Sequence, residues 1–491
     1  MMIKNLPQLK DALSNCRGTW AWVGQRGIDA LAVLDFVSVD AGFCCDFGEV
    51  YKKLWPEKSL FSVEKDLGRR ENWGNQDLEM LWEGTTRKQI ETYMSGMKEP
   101  VNTVCYRSLK VLEKNRRFRV LAPPLVLKDL FDDKLRQLEL FSKLGVKTPP
   151  TLVCLLDETT FTNAADFFDG PFVVQPPVGS SGENTYFVNN ETDFEQVKDI
   201  LEPSLRVKLS KYLPVASLNG HCVVLKTRKG LRSIAACPSV QIVGAYGCTS
   251  RAEIYCGNDF SAAGSVPKFI REEICTIMEN IGLFMGAKGF LGLFGMDFLL
   301  NGDEVLALEI NPRFQGSTML LSLLQVDRGE VPLAALHVMQ FMGLIEEFAQ
   351  EFLEQSKRMY RMPYKGAHLI VHSLKDEPCC IEHDIKAGVY TLVNNAIEQV
   401  RNGTTYRDTK SPDEWCILGN LPGIKTKICR EARFAMIQTR ESVLDSQLKQ
   451  LESYAAAFVK ELQGCCKVLP FNGGSEWNIL HPKPTTSSSV L

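Results

Sequence analysis

No long run of basic residues occurs in this chain, and neither sign of charge dominates it. The 56 lysine and arginine residues nearly balance the 59 aspartate and glutamate residues, so the formal net charge is −3. Because nucleic acid is a polyanion that binds clustered cationic side chains, this balance argues against a nucleic-acid partner.

Cysteine pairs of the kind found in metal ribbons and redox motifs are also lacking. The 16 cysteines include three adjacent pairs but no C-x-x-C, and they are too sparse along 491 residues for a disulfide scaffold. The first residues lack the apolar core and small-residue cleavage site of a signal peptide. These absences predict a soluble protein of the reducing cytoplasm.

No uninterrupted hydrophobic run is long enough to span a membrane. The most apolar stretch, 281–300, contains five glycines together with Lys288 and Asp297, whereas a spanning helix needs about 20 predominantly apolar residues. The chain also lacks the G-x-G-x-x-G fingerprint of dinucleotide folds, the G-K-[ST] of a P-loop and the G-x-S-x-G elbow of hydrolases. The sequence therefore predicts neither a membrane partner nor any of these three sites.

The periodicities that are present predict a mixed α/β fold of about three domains. Residues 1–125 alternate short apolar runs with polar helical stretches, which indicates an N-terminal α/β domain. Residues 347–480 combine β-rich runs with a late helix and are predicted to form a mixed α/β C-terminal domain. The final segment, 481–491, is rich in Pro, Ser and Thr and is predicted to be a disordered tail.

Apolar residues at helical spacing mark two helices, one before the centre of the chain and one near its end. The spacing between Asp132 and Gly145 predicts a helix, with Pro149 and Pro150 beyond its end. A second apolar stripe predicts a late helix that starts near residue 444, with one face formed by Leu444, Leu448, Leu451, Ala455, Phe458 and Leu462.

The segment 295–313 combines a hairpin signal with oxygen-bearing side chains. Asn301-Gly302-Asp303 separates two β-rich runs, which is a strong signal for a hairpin. Glu309 and Asn311 are two apart on the second run and share a face, and the hairpin brings Asp297 opposite them. Mg²⁺ prefers a few hard oxygen ligands and completes its shell with water and substrate phosphates. These side chains are therefore predicted as a nucleotide-metal site, with the solvent face of an edge strand as the alternative.

Arg313 ends this segment and presents a planar fork for a phosphate or a carboxylate. The next residues are Gln315, Gly316 and Ser317. The glycine permits close approach of a ligand, and the two polar side chains can orient it. These three residues are therefore predicted to lie beside the substrate. Arg251 is a further candidate for a substrate carboxylate, with a surface salt bridge as the favoured alternative.

A glycine-rich loop joins two earlier β-rich runs, 172–175 and 185–188. Its backbone N–H groups and hydroxyls can line an anion, and its residues include Gly179, Ser180, Ser181 and Gly182. A flexible surface hairpin is the alternative, because the loop alone is a weak signal.

In their order along the chain, these features resemble the ATP-grasp superfamily. Asp133-Lys134 on a helix, K-L-G-V-K-T-P-P at 143–150, a strand into the Gly/Ser loop and a distal Asp with Glu-x-Asn-Pro-Arg follow its pattern over residues 126–346. The resemblance implies an α+β ATP-grasp core in two parts, with a small lid at about 150–212 and ATP bound beneath it. Members commonly activate a carboxylate as an acyl phosphate that an amine then captures.

The resemblance also implies residue roles. Lys134 and Arg313 would stabilise the transferring phosphoryl group, while Asp297, Glu309 and Asn311 would bind Mg²⁺ or Mn²⁺. The implied ATP contacts are Lys134, Gln175, Gly179, Ser180, Ser181, Gly182, Thr185, Lys211, Tyr212, Leu213 and Ser217. The substrate candidates from both lines of reasoning are Arg251, Arg313, Gln315, Gly316 and Ser317.

Two positions depart from the superfamily pattern. Gln175 stands where many members have a lysine before the glycine loop, so an amide that donates without Coulombic attraction replaces a phosphate-facing cation. Ser210 stands where the hinge often has an acidic residue. Because the metal triad and Arg313 are retained, an active enzyme is favoured over a silent ATP-binding regulatory protein.

The sequence therefore predicts a cytoplasmic ligase that uses ATP and Mg²⁺ to join a small carboxylate to an amine, with ADP and phosphate released. Amino acids are the expected substrates, and a homodimer is compatible with the resemblance. A bicarbonate-activating enzyme of the biotin carboxylase type is the enzymatic alternative, although no biotin-carrier lysine motif is present.

Overall fold

The structure, a computed structural model, describes residues 3–48, 50–67, 75–179, 184–347, 350–375, 379–381, 385–419, 421, 427–428, 431–465 and 468–470. Within these residues it has a mixed α/β fold with four sheets, which confirms the predicted fold class. The predicted tail at 481–491 lies outside the described residues. Among the helices that are described, none is both long and apolar enough to cross a membrane.

A parallel sheet organises the N-terminal part. Its strands are β1 (Trp20–Gly24), β2 (Ala41–Cys44), β3 (Leu60–Ser62), β4 (Val101–Cys105) and β5 (Phe118–Leu121). Its helices are α1 (Leu6–Ser14), α2 (Leu31–Leu34), α3 (Tyr51–Leu54), α4 (Val63–Leu67), α5 (Gly84–Ser95) and α6 (Lys110–Lys114). The order β3-β2-β1-β4-β5 reverses between β1 and β4. In open parallel sheets, ligands bind in the crevice at the carboxyl ends of such a strand pair.

A small antiparallel sheet, called the lid sheet below, coincides with the predicted lid at about 150–212. Its strands are β6 (Thr151–Leu155), β7 (Phe172–Gln175), β8 (Tyr186–Val188) and β9 (Arg206–Lys211), in the order β6-β9-β7-β8. The helices before and within it are α7 (Leu125–Asp132), α8 (Lys134–Lys143), α9 (Phe161–Phe168) and α10 (Glu191–Ile200). Along β7, Phe172 and Val174 enter the lid core while Val173 and Gln175 turn the other way, as strand alternation requires. The predicted helix between Asp132 and Gly145 is confirmed as α8.

A large antiparallel sheet carries the rest of the fold. Its strands are β10 (Ala216–Thr227), β11 (Gly230–Ala235), β12 (Ser239–Val243), β13 (Tyr255–Asp259), β14 (Gly292–Asn301), β15 (Glu304–Asn311), β16 (Ala367–His372), β18 (Gly388–Val393), β19 (Ala396–Arg401), β20 (Trp415–Gly419) and β22 (Arg433–Thr439). Three further strands form a separate small sheet, namely β17 (Cys379–Ile381), β21 (Lys427–Ile428) and β23 (Val468–Pro470). The helices are α11 (Lys268–Ala287), α12 (Thr318–Asp327), α13 (Leu333–Met342), α14 (Gln350–Tyr360) and α15 (Ser453–Cys465).

The large sheet runs without a break from the central segment into the C-terminal segment. Its order is β15-β14-β10-β12-β13-β16-β22-β20-β18-β19, with β11 paired to β10. The junction is the antiparallel pair β13 and β16, in which Gly257 lies opposite Leu369 and Asn258 lies opposite His368. Strands from both sides of residue 346 therefore share one set of backbone hydrogen bonds.

The late helix starts later than its apolar spacing predicts. It begins at Ser453, and residues 444–451 form a tight loop closed by a bridge between Leu444 and Leu451. Asp445 Oδ1 accepts hydrogen bonds from the backbone N–H groups of Gln447, Lys449 and Gln450. A side chain that takes the backbone donors in this way competes with helix formation. The prediction of a helix from residue 444 is thus wrong for its first two turns.

Candidate active site

A cavity of about 440 Å³ lies between the lid sheet and the large sheet. The predicted residues that line it are Lys134, Gln175, Gly179, Thr185, Lys211, Tyr212, Leu213, Ser217, Asp297, Glu309, Asn311, Arg313, Gln315, Gly316 and Ser317. Ser180, Ser181 and Gly182 lie outside the described residues. Arg251 is described but does not belong to the lining, and its guanidinium pairs with Glu253.

The hairpin of β14 and β15 brings the three predicted metal ligands together. Asp297 lies opposite Glu309 in the strand register, next to an irregularity between Asp297 and Phe298. The side-chain amide of Asn311 donates to Asp297 Oδ2 over 3.1 Å and to Glu309 Oε1 over 3.2 Å. The tight turn at Gly302, with φ of 62°, closes the hairpin as its sequence signal predicts.

The pKa values of the two carboxyl groups are shifted in opposite directions. Burial and the charge of Glu309 raise the pKa of Asp297 to about 8. Burial alone would raise the pKa of Glu309 as well, but the Lys134 ammonium and the hydrogen bond with Asp297 lower it to about 2. A divalent cation between the two carboxyl groups would stabilise the ionised form of both. The oxygen donors of Asp297, Glu309 and Asn311 therefore fit Mg²⁺ or Mn²⁺.

We expect Mg²⁺ to raise the melting temperature more at pH about 8.5 than at about 6.5, because Asp297 must lose its proton before it binds a cation. Its folded-state pKa is raised, so the metal-free protein loses stability as the pH rises through about 8, and the cation offsets this loss. The measurement is the melting temperature in MgCl₂ and in EDTA at each pH. Asp297→Asn should abolish the pH dependence, and an equal Mg²⁺ effect at both pH values in the unsubstituted protein would contradict the assignment.

Lys134 links the predicted metal ligands to the loop of the lid sheet. It is the first residue of α8, whose N-terminus is capped by the Asp133 carboxylate. Its ammonium lies 3.1 Å from Glu309 Oε2 and donates to the carbonyl oxygen of Gly179 over 2.8 Å. Its backbone N–H donates to the carbonyl of Pro177. A buried cation therefore sits where the lid loop approaches the carboxylates.

Gln175 holds the base of the lid loop. Its amide donates to Thr185 Oγ1 over 3.0 Å, across the two strands that the loop joins. Its register partner on β9 is Lys208, whose buried ammonium donates to the carbonyl oxygen of Leu308 over 3.1 Å. Burial lowers the pKa of Lys208 to about 8, although the charge of Glu309 opposes this change. No sequence pattern indicated Lys208, because only the strand pairing places it beside Gln175.

The predicted hinge, 210–213, continues from the end of β9 along the wall of the cavity. The ring of Tyr212 packs against Phe187 of the lid, with 5.1 Å between ring centroids. Leu299 and Leu308 of the large sheet line the cavity as well. This end of the cavity is thus a largely apolar slot that suits a flat ring.

A chain of polar side chains connects Ser217 with the carboxylates. Ser217 Oγ donates to Gln241 Oε1 over 2.7 Å, and the Gln241 amide donates to Asp297 Oδ1 over 3.4 Å. Asn219, the register partner of Asp297 on β10, donates to the same oxygen over 2.6 Å. Ser317 Oγ in turn donates to Asn219 Oδ1 over 2.9 Å. Asp297 is therefore oriented from two sides, and sequence reasoning identified neither Gln241 nor Asn219.

Two guanidinium groups flank one tyrosine at the N-terminal side of the cavity. Arg313 donates to Asn311 Oδ1 over 2.9 Å, and its guanidinium carbon lies 5.9 Å from the ring centroid of Tyr106. Arg26 lies 5.7 Å from the same centroid and pairs with Asp29 over 2.8 Å. Arg26 and Tyr106 follow β1 and β4, where the parallel sheet changes direction. Sequence reasoning missed both, since only this topology brings them to Arg313.

The segment after Arg313 closes the cavity floor. Gln315 Oε1 is buried and has no hydrogen-bond partner among the described residues. A Cβ atom on Gly316 would lie 3.0 Å from the ring of Tyr255, so a larger residue there would have to displace that ring. Gln315 Oε1 lies against Gly295, so this part of the cavity wall is tightly packed.

An ATP-grasp domain model matches residues 131–317 of this chain. The formate-dependent phosphoribosylglycinamide formyltransferase of Prochlorococcus marinus is 22% identical over 211 residues, which make up 40% of this chain and 48% of that protein. The chain spans about half the length, or less, of the curated relatives that it matches.

Two solved structures share the fold at low identity. The biotin carboxylase of Campylobacter jejuni has a TM-score of 0.52 and 11% identity over 86% of this chain and 87% of that chain. The biotin carboxylase domain of the 2-oxoglutarate carboxylase of Hydrogenobacter thermophilus has a TM-score of 0.50 and 12% identity over 89% and 84%. Residues 131–317, which contain Lys134, the carboxylate hairpin and Arg313, thus match an ATP-grasp domain.

Proposed function

We propose that this protein is an ATP-dependent ligase that activates a small carboxylic acid as an acyl phosphate and joins it to an amine, with ADP and phosphate released. The observation that carries the proposal is the convergence on one cavity of Asp297, Glu309, Asn311, Lys134 and Arg313. The oxygen donors suit a divalent cation, and the two basic side chains suit the phosphates that it binds.

Each group of residues in the cavity would have its own role in the reaction. Mg²⁺, when bound, would neutralise phosphate charge and make the terminal phosphorus more electrophilic. Lys134 and Arg313 would orient the terminal phosphoryl group and stabilise the charge that spreads over its oxygens, so no covalent enzyme nucleophile is needed. The lid would exclude water, because water competes with the amine for the acyl phosphate.

The apolar slot at 211–213 is the proposed site for the base of ATP, and Ser217 is proposed to contact the ribose. The curated relatives are named formate-dependent enzymes, which supports a small carboxylic acid as the group that is activated. The intact triad supports turnover over a silent ATP-binding role, since a binding protein has no need of Asp297 held by Asn219.

The direct test is a screen for phosphate release from Mg-ATP with formate, acetate, bicarbonate and amino acids, each with and without an added amine. We expect ADP to form, and to form fastest when an acid and an amine are both present. AMP as the product would point to adenylation and contradict the proposal. Binding of Mg-ATP without turnover for any pair would favour the regulatory alternative.

Gln175 gives a test of how the lid meets the phosphates. Gln175→Lys is expected to tighten Mg-ATP binding about fivefold, because a cation near a phosphate gains about 1 kcal/mol even when partly solvated. Gln175→Leu should weaken binding, since it removes a donor. Isothermal titration measures both effects. Thr185→Val is the control, because it removes the hydrogen bond between Gln175 and Thr185 but keeps the Gln175 amide. Equal affinities for all the proteins would show that Gln175 does not face the nucleotide.

A further inference from the structure

Tyr255, the first residue of β13, lines the cavity but is not among the predicted site residues. Its hydroxyl edge faces the segment that follows Arg313, because a Cβ atom on Gly316 would lie 3.2 Å from the Tyr255 hydroxyl oxygen. The charges of Arg26 and Asp297 both act on this hydroxyl. Tyr255 therefore presents its polar end to the part of the cavity that holds the predicted metal ligands and Arg313.

The proton of the Tyr255 hydroxyl is committed to Asn258. The hydroxyl is hydrogen-bonded to Asn258 Oδ1, and the buried Asn258 amide donates to Ser239 Oγ over 2.9 Å. Ser239 in turn donates its own proton to the backbone carbonyl of Asn219 over 3.3 Å. Because a hydroxyl has only one proton, Ser239 accepts from Asn258, and the Asn258 oxygen is left to face Tyr255. Tyr255 is thus the donor in its contact with Asn258.

His368 donates to the same phenolic oxygen. Its Nε2 atom lies 3.1 Å from the Tyr255 hydroxyl, and the ring is buried. Burial and the charge of Arg26 lower the pKa of His368 to about 3, so the ring is neutral and carries one proton. Since the Tyr255 proton is used by Asn258, that ring proton belongs on Nε2. The buried Nδ1 has no partner among the described residues, which suits a nitrogen without a proton better than an unpaired donor.

The Tyr255 oxygen then has one acceptor position left. Among the described residues, only Asn258 and His368 form hydrogen bonds with this hydroxyl. Burial raises the pKa of Tyr255 well above its usual value, so the phenol keeps its proton. The cavity therefore contains a neutral oxygen that is held in place and can only accept a further hydrogen bond.

We propose that Tyr255 positions the amine substrate by accepting a hydrogen bond from its N–H group. This inference rests on the proposed function. The carboxylates of Asp297 and Glu309 are needed by the cation, whereas the Tyr255 oxygen is not. An N–H group held in this way leaves the nitrogen lone pair free to attack the acyl phosphate.

The proposed contact assigns Tyr255 no part in proton transfer. The nitrogen lone pair forms the C–N bond, and the C–O bond to phosphate breaks with its electron pair. The proton that the nitrogen loses leaves with the phosphate, and Tyr255 keeps its own. The substrate class is therefore a primary or secondary amine, because a neutral tertiary amine has no N–H group to donate.

The ring proton of His368 tests the hydrogen-bond assignment without any substrate. The full chain, with its six histidines labelled with ¹⁵N, is studied by NMR, and His368→Gln identifies the signals of this ring. We expect a neutral ring with its proton on Nε2, and a changed Nε2 signal in Tyr255→Phe. A proton on Nδ1 would mean that Tyr255 donates to His368, and would overturn the inference.

Kinetics with hydroxylamine test the role of the contact in the reaction. Hydroxylamine is a small amine that converts acyl phosphates to hydroxamates, and it is supplied with Mg-ATP and each acid of the screen. With the acids that give ADP, Tyr255→Phe should raise the KM for hydroxylamine about fivefold, because one hydrogen bond is lost. ADP formation with the acid alone should stay within about twofold, since that step does not involve the amine.

Tyr390→Phe is the matched control. The Tyr390 hydroxyl donates to the carbonyl of Lys386 over 2.8 Å, and Tyr390 does not line the cavity. Its removal should leave the KM for hydroxylamine unchanged. If Tyr255→Phe also leaves this KM unchanged, or raises the KM for ATP instead, the inference is wrong. Failure of every acid to yield ADP and hydroxamate with the unsubstituted protein would instead refute the proposed function.

Discussion

Glu309→Gln is expected to lower the rate of ADP formation by about two orders of magnitude or more, and also to lower the melting temperature, because the buried Lys134 ammonium loses its partner. The substitution keeps the shape of the side chain but removes the charge that a divalent cation and Lys134 both need, at 3.1 Å from that ammonium. Asn311→Ala should act in the same direction, because it removes both a cation ligand and the acceptor of Arg313. Steady-state ADP production at saturating Mg-ATP is the measurement.

The hairpin offers a matched control for this effect. Glu304 lies at the other end of β15, is partly exposed and pairs with Lys147 over 2.6 Å. Glu304→Gln makes the same chemical change on the same strand and should leave turnover near that of the unsubstituted protein. If Glu309→Gln turned over as fast as Glu304→Gln, the metal assignment would have to be abandoned.

The second large effect is expected for Arg313→Ala, which should reduce kcat about 100-fold or more and change the KM for ATP much less. The guanidinium is buried between Asn311 and the ring of Tyr106, so it is held ready for charge that develops during phosphoryl transfer. Arg313→Lys should recover only part of the rate, because an ammonium cannot present two parallel donors.

Rate measurements with saturating acid and amine separate this role from simple binding. Arg136→Ala, on the exposed face of α8, removes a surface arginine and serves as the control. A variant that lost affinity for ATP but kept its kcat would show that Arg313 contributes binding in the ground state, not stabilisation of the transition state.

The carboxylate hairpin could be predicted from sequence because each step is local. The Asn301-Gly302-Asp303 turn fixes the register, and alternation along the strand places Glu309 and Asn311 on one face. The structure reproduces this pairing down to Asp297 opposite Glu309. The fold class followed for the same reason, since strand and helix periods are properties of short segments.

The remaining parts of the site could not be predicted in this way. Arg26, Tyr106 and Arg313 come from widely separated segments, and only the reversal of strand order in the parallel sheet brings them together. The apolar pattern predicted too early a start for the late helix. In residues 444–451, Asp445 accepts hydrogen bonds from backbone N–H groups that a helix would use. Apolar spacing does not register such a competition between a side chain and the backbone.

The continuous sheet has a consequence for work with fragments of this protein. A chain cut at residue 346 would retain β13 but lose β16. Gly257 and Asn258 would then lie on an unpaired edge strand, with their backbone N–H and C=O groups open to solvent. Such edges recruit other strands and promote aggregation. A soluble fragment would need to extend at least through β22. For the same reason, the strands on either side of residue 346 should melt in a single cooperative transition, not as independently unfolding halves.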